Sequence, residues 1–130
     1  QDDAYYTKHS QSENRMSVWI PLQDTEIEHG CLELIPGSHT RGLQSTRIRK
    51  TGTCTLAMDV EVDMSERIFC PINAGSMVLF SALLWHGSAG NRTGQRRRAF
   101  IVSYQAATVS GGNGKQWKIL RPEEEEVGHL

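Results

Sequence analysis

The sequence has no apolar run near the roughly 18 residues that cross a bilayer as a helix. No signal peptide opens it either, so neither a membrane partner nor a secretory route is expected. Cysteine is scarce: Cys31, Cys54 and Cys70 are odd in number and lack CxxC spacing, which argues against a disulfide framework. They read as thiols packed in the core of a protein from a reducing compartment. Charge of one sign is missing too. Fourteen Lys and Arg face 15 Asp and Glu, for a net −1, and Arg96, Arg97 and Arg98 are a local cluster, not a basic face, so no nucleic-acid partner is expected. Internal repeats and convincing amphipathic helices are also absent.

What remains is an ordinary globular composition, 38% hydrophobic and 22% charged, on 130 residues. That length supports one domain with a real core, not two. The chain opens at Gln1-Asp2-Asp3 without Met, inside what reads as structured sequence, so an N-terminally incomplete domain is expected.

The periodic segments read as strands. Arg15 to Leu22 is β-rich, with Pro21 arguing for an edge or a strand terminus. Cys31 to Ile35 alternates and stops at the turn Pro36-Gly37-Ser38. Thr53 to Val62 and Arg67 to Ile72 follow, divided by polar residues. After a turn at Asn73 to Ser76, Met77 to Leu84 is apolar nearly throughout, as a strand buried on both faces would be. Ala99 to Tyr104 alternates again. Short strands with Gly and Pro punctuation predict an all-β sandwich or barrel, and a jelly roll fits. The predicted organisation is a core over residues 1–107 and a C-terminal extension over 108–130, Gly-rich at first and ending in the acidic run Glu123 to Glu126.

Few residues stand out chemically. His86 lies where the apolar run emerges into Gly87-Ser88-Ala89-Gly90-Asn91, a place for a structural histidine or a metal ligand. Arg97 at the entry to the next strand reads by itself as a solvated strand end, and Asp2 and Asp3 as surface carboxylates. A zinc site built from His29, His39 and a cysteine has no matching spacing.

Taken together, the stretches QDDAYY, VWIPLQD, HGCLELIPGSH and LLWHGSAGNRTGQRRRAF resemble the phytanoyl-CoA dioxygenase family of iron(II)/2-oxoglutarate oxygenases. The resemblance runs from Gln1 to about Tyr104, roughly four-fifths of the chain. Its specific anchors are GCLELIPGSH and HGS..N.....RRA in order and register; QDD alone is weak. The resemblance implies a double-stranded β-helix (jelly roll, cupin-like), incomplete at its N-terminus. It implies Fe(II), with 2-oxoglutarate and O2 as co-substrates.

Residue by residue, Asp2 falls at the family's carboxylate ligand and His86 at its distal histidine. The family's opening motif places its first histidine immediately before Gln1. Arg97 falls at the position that pairs with the distal carboxylate of 2-oxoglutarate, and Ser88 at a hydroxyl that helps to bind it. Trp19 matches an aromatic near the site or serves the core, and Asn91 shapes the loop. His29 stands where the family commonly has Asn, a turn substitution of little chemical consequence. The implied catalytic set is thus Asp2, His86 and Arg97.

The physical chemistry agrees. Two imidazoles and one carboxylate on one face of iron(II) leave three positions open. The planar fork of an arginine pairs bidentately with a carboxylate and does not lose its charge. The implied reaction hydroxylates a small organic substrate, with release of succinate and CO2. Retention of Asp2 favours hydroxylation over halogenation, because related halogenases vacate that position. A non-catalytic jelly-roll binding domain, or an inactive fragment without the first histidine, is the alternative. His9 is no substitute, because its odd offset from Asp2 puts it on the opposite face of a regular strand. Asp3 in place of Asp2 is the lesser assignment. Substrate choice is expected to rest on Tyr5, Tyr6, Arg15 and the segment from Arg41 to Gly52, and a cytoplasmic location is expected. The terminal Gly128-His129-Leu130 is not the Ser-Lys-Leu peroxisomal signal.

Overall fold

The computed structural model describes residues 1–2, 15–48 and 56–106. Asp3, Tyr5, Tyr6, His9, Cys54 and the 108–130 extension lie outside the described residues. The described residues form eight strands and two short 3-10 turns, Ser38–Arg41 and Met64–Glu66, with no α-helix among them.

Among the described residues, three antiparallel sheets carry the architecture. In the first, β1 (Arg15–Pro21) is central, flanked by β6 (Val78–Ser81) and β8 (Ala99–Gln105). In the second, β2 (Leu32–Leu34) lies between β5 (Ile68–Cys70) and β7 (His86–Ser88). A third pairs β3 (Thr46–Ile48) with β4 (Leu56–Met58). The expected all-β fold is therefore observed.

Several details differ from the sequence-based expectations. Pro21 is a strand terminus, one of the two places expected for it, and not an edge. Strand β1 is central, and its pairing with β6 stops at Trp19↔Val78, so the missing proline N–H falls beyond that ladder. The run from Met77 to Leu84 is not a strand buried on both faces. Only Val78–Ser81 is extended, and Met77 and Leu79 are each 54% exposed. Strand β6 is an edge of its sheet, and an antiparallel sheet packs one face inward and can leave the other in water. Of Thr53 to Val62, the described residues from 56 onward contribute Leu56–Met58, paired with the unanticipated β3. Arg67 to Ile72 shortens to β5, with Ile72 bridged separately to Thr25.

The core draws on residues of the first two sheets and of the segment that joins them. Val18 and Trp19 from β1, Cys31, Leu32 and Ile35 around β2, and Ala82, Leu83 and Trp85 after β6 are its buried apolar residues. Cys31 is buried as expected, and desolvation pushes its thiol pKa up, so it stays protonated and inert. Cys70, expected to be buried, is only half-buried, because β5 is an edge strand. Both are free thiols. Two buried hydroxyls have partners that fix the chain: Thr25 Oγ1 donates to the Gln23 carbonyl, and Ser38 Oγ accepts from the Trp85 N–H at 2.8 Å.

That last bond gives the Pro36-Gly37-Ser38 turn a structural purpose. Gly37 takes a left-handed φ of 74°, which a glycine adopts without steric cost. The turn thereby delivers the Ser38 hydroxyl to the backbone just before His86. Ile35 N–H donates to the Trp85 carbonyl at 3.0 Å, so the chain is held on both sides of Trp85 as it enters β7.

Candidate active site

His86 is delivered by a change of sheet. At the end of β6 the Ser81 hydroxyl accepts from the Leu83 N–H and the Ser81 carbonyl from the Leu84 N–H, which turns the chain out of the first sheet. It then enters the second sheet as β7, where His86 pairs with Leu34 and Ser88 with Leu32. His86 thus begins a short strand of its own, where the sequence suggested the end of one strand opening into a loop. The misreading is understandable, because His-Gly-Ser has neither alternation nor β-branched residues to mark a strand. Since side chains alternate along a strand, His86 and Ser88 share one face of β7.

Asp2 meets His86 from the far end of the chain. Its Oδ1 lies 3.1 Å from His86 Nε2, and its Oδ2 accepts a 2.5 Å hydrogen bond from Ser17 Oγ. Ser17 is fully buried on β1, on the same face as Trp19. Opposite Ser17 on β6 stands Phe80, whose ring centroid is 4.8 Å from that of His86, with the planes inclined at 58°. Gln1 secures the adjoining backbone. Its Nε2 donates to the carbonyls of Gly42 (2.8 Å) and Leu83 (2.6 Å), and its Oε1 accepts from the Gln44 N–H.

The hydrogen bonds of the imidazole decide what this pair can do. Nδ1 lies 2.9 Å from the Leu84 carbonyl oxygen, which can only accept, so Nδ1 carries a hydrogen. Nε2 therefore turns its remaining position toward the Asp2 carboxylate. Two lone-pair atoms facing each other at 3.1 Å need a positive centre, either a proton on Nε2 or a cation bound by both. Ligand atoms about 2.1 Å from one ion and at right angles to each other lie about 3.0 Å apart. The pair fits one divalent ion on distance and on donor type, and an imidazole fixed through its second nitrogen is the usual form of a metal-binding histidine. Among the described residues no three His, Cys, Asp or Glu side chains form such a cluster.

Burial tends to raise the Asp2 pKa, but the hydrogen bond and charge of His86 and the bond from Ser17 outweigh it. The net shift is below the ordinary 3.8, so the carboxylate form is favoured.

The other predicted residues are placed as follows. Arg97 precedes β8, which starts at Ala99, and so lies just outside the strand it was expected to begin. Its Nη1 donates to the Gly30 carbonyl. Gly30 itself takes a φ of 77°, and a Cβ there would collide with the Ala89 carbonyl oxygen, so glycine is required for the close docking of this turn on the loop after β7. Ser88 is exposed on β7, and Trp19 is buried on β1. Asn91 shapes its loop: its Nδ2 donates to the Gln95 carbonyl, and its Oδ1 accepts from the Thr93 N–H and hydroxyl. His29 closes a turn, its Nδ1 accepting from the Glu26 N–H at 3.2 Å, and His39 is exposed in the Ser38–Arg41 turn.

Sequence reasoning missed Ser17, Phe80 and the clamp made by Gln1. A lone serine or phenylalanine in a β-rich run carries no mark of its neighbour across the sheet. Only the β1–β6 register reveals that Ser17 and Phe80 form one floor.

Comparison with known proteins identifies the family and the fold. The chain is 31% identical over 113 residues to the mouse (Mus musculus) Phytanoyl-CoA dioxygenase domain-containing protein 1, covering 83% of this chain and 39% of that protein. The zebrafish (Danio rerio) protein of the same name is 34% identical over 107 residues, covering 78% of this chain and 37% of that one. The chain therefore spans about two-fifths of the length of these curated relatives. Among solved structures it resembles ThoJ, described as a non-heme monooxygenase in its apo form, with TM-score 0.73 and 25% identity over 88% of this chain and 42% of that one. It also resembles EvdO2 from Micromonospora carbonacea var. aurantiaca, solved with 2-oxoglutarate, with TM-score 0.67 and 26% identity over 90% of this chain and 50% of that one. These neighbours place the all-β fold with the double-stranded β-helix of non-heme oxygenases. The family profile described as Phytanoyl-CoA dioxygenase (PhyH) matches residues 1–99, and the chain belongs to that family.

Proposed function

We propose that the protein carrying this chain is an iron(II)- and 2-oxoglutarate-dependent dioxygenase that hydroxylates a small organic molecule and releases succinate and CO2. The observation that carries this reading is the facing pair of Asp2 Oδ1 and His86 Nε2 at 3.1 Å, with Nδ1 of His86 committed to the Leu84 carbonyl. Asp2 and His86 are two metal ligands, and the third is the histidine that the family's opening motif has immediately before the position of Gln1. When bound, the iron supplies oxidation of an unactivated C–H bond coupled to decarboxylation of 2-oxoglutarate.

The residues of the chain do the rest. Arg97 presents a permanent charge and parallel donors to the distal carboxylate of 2-oxoglutarate, and its bond to the Gly30 carbonyl holds the fork in place. Ser88 adds a hydroxyl on the His86 face of β7. Trp19 and Phe80 wall the site with apolar surface, which lowers the local dielectric and keeps water from the reacting groups. That EvdO2 was solved with 2-oxoglutarate supports this choice of co-substrate.

The alternative is a binding domain on the same scaffold. It draws support from the two-ligand set among the described residues. Anaerobic Fe(II) titration of the intact protein, followed by a succinate-release assay, separates the two. Iron binding at one site, lost in both Asp2→Ala and His86→Ala, is expected. An intact protein that binds no Fe(II), or that binds it equally well in both variants, would overturn the reading.

A further inference from the structure

We propose that Ser17 is a positioning residue that commits Asp2 to binding metal through one carboxylate oxygen, an inference that rests on the metal-site reading above. The two oxygens of Asp2 are in different situations. Oδ2 accepts the 2.5 Å hydrogen bond from Ser17 Oγ, while Oδ1 is turned to His86 Nε2 at 3.1 Å. A carboxylate free to rotate could offer both oxygens to one ion and occupy a coordination position that a bidentate 2-oxo acid or dioxygen needs.

Three features make the restraint effective. Ser17 is fully buried, so no water competes for its hydroxyl, and a buried hydrogen bond to a charged group is stronger than a neutral one. It sits in the central strand of its sheet, paired on both sides with Phe80 and Ser103, so its Cα cannot drift. Gln1, next to Asp2, is tied to the backbone of Gly42, Gln44 and Leu83, which leaves the Asp2 side-chain torsions as the main freedom still to be restrained. Packing alone does not call for serine here. Neighbouring positions on the face are filled by Trp19 and Pro21, and an apolar residue would have higher strand propensity.

The test is Co(II) and Mn(II) binding to the intact protein, with infrared spectroscopy of the carboxylate stretches on metal addition. Wild-type protein is expected to bind the ions at one site, with the wide separation of antisymmetric and symmetric stretches that marks one-oxygen coordination. Ser17→Ala is expected to bind about 10- to 100-fold more weakly, as loss of a group that orients a ligand typically does. Its two stretches should also move closer together. Ser17→Thr, which keeps the hydroxyl, is expected to restore both readouts. If the alanine variant does not fold, Ser17→Cys keeps the volume with a much weaker donor, and it too must bind more weakly. Wild-type affinity and spectrum in Ser17→Ala or Ser17→Cys would overturn the proposal while leaving the metal site standing. No ion binding by the wild-type protein would instead overturn the reading beneath it.

Discussion

Ser17 and Phe80 stand directly opposite each other across β1 and β6, and together they support both halves of the candidate site. The serine hydroxyl holds the carboxylate of Asp2, and the phenylalanine ring packs at 4.8 Å against the imidazole of His86. An antiparallel register thus converts one cross-strand pair into a platform for a second pair drawn from distant parts of the chain. Rigid strands set functional groups more precisely than loops do, and the predictions below follow from which atoms hold which.

Gln1 should act as a clamp and not as a surface residue. Its amide makes three hydrogen bonds to backbone groups, each worth about 1 kcal/mol net in a typical protein setting. Gln1→Ala is expected to lower the urea midpoint by an amount equivalent to about 2–3 kcal/mol. Gln1→Glu should be at least as damaging, because a carboxylate cannot donate and would face two carbonyl oxygens. An unchanged midpoint in both variants would mean that the contacts carry no stability.

Gly30 should tolerate no side chain. Its φ of 77° costs a non-glycine residue about 1–2 kcal/mol, before the collision with the Ala89 carbonyl oxygen is counted. Gly30→Ala is therefore expected to destabilise by more than about 2 kcal/mol in denaturant unfolding. On the proposed assignment it should also weaken 2-oxoglutarate binding, because the Gly30 carbonyl anchors Arg97. Full stability in this variant would contradict the close docking of the two turns.

Arg97 separates co-substrate binding from metal binding. Arg97→Ala is expected to weaken 2-oxoglutarate binding about 10- to 100-fold by calorimetry, the cost of losing charge-assisted hydrogen bonds. Iron affinity should be left largely intact. Arg97→Lys should recover only part of the loss, since an ammonium is a point charge without the planar fork. Equal loss of iron and co-substrate would mark Arg97 as structural.

The Asp2 carboxyl predicts how metal-free protein responds to acid. Burial opposes its ionisation, but His86 and Ser17 together bring the folded pKa below 3.8. A carboxyl with a depressed folded pKa contributes stability that is complete above its unfolded value and is lost as pH falls through the folded one. Urea unfolding should therefore show this contribution at roughly pH 5 and its decline below about pH 4. Asp2→Asn should reduce that part of the pH dependence; an identical profile would show that Asp2 is not held in this way.

The sequence by itself determined the family and the all-β class, and it singled out Asp2, His86 and Arg97 as candidates. The β-rich run from Arg15 to Leu22 and the alternation from Ala99 to Tyr104 mark the two long paired strands, and Gly37 and Gly30 sit where the chain turns with positive φ. His86 and Arg97 are legible because they flank one loop, and local order along a chain preserves spacing. What the tertiary structure decided is everything that depends on a neighbour across a sheet. It made His-Gly-Ser a strand by pairing it with β2, and exposed one face of the run after Met77. It also brought Asp2 to His86 over a floor of Ser17 and Phe80. Periodicity reports which face of an element is apolar, but register is set by long-range pairing. The atom that holds a ligand is therefore found only once the strands have met.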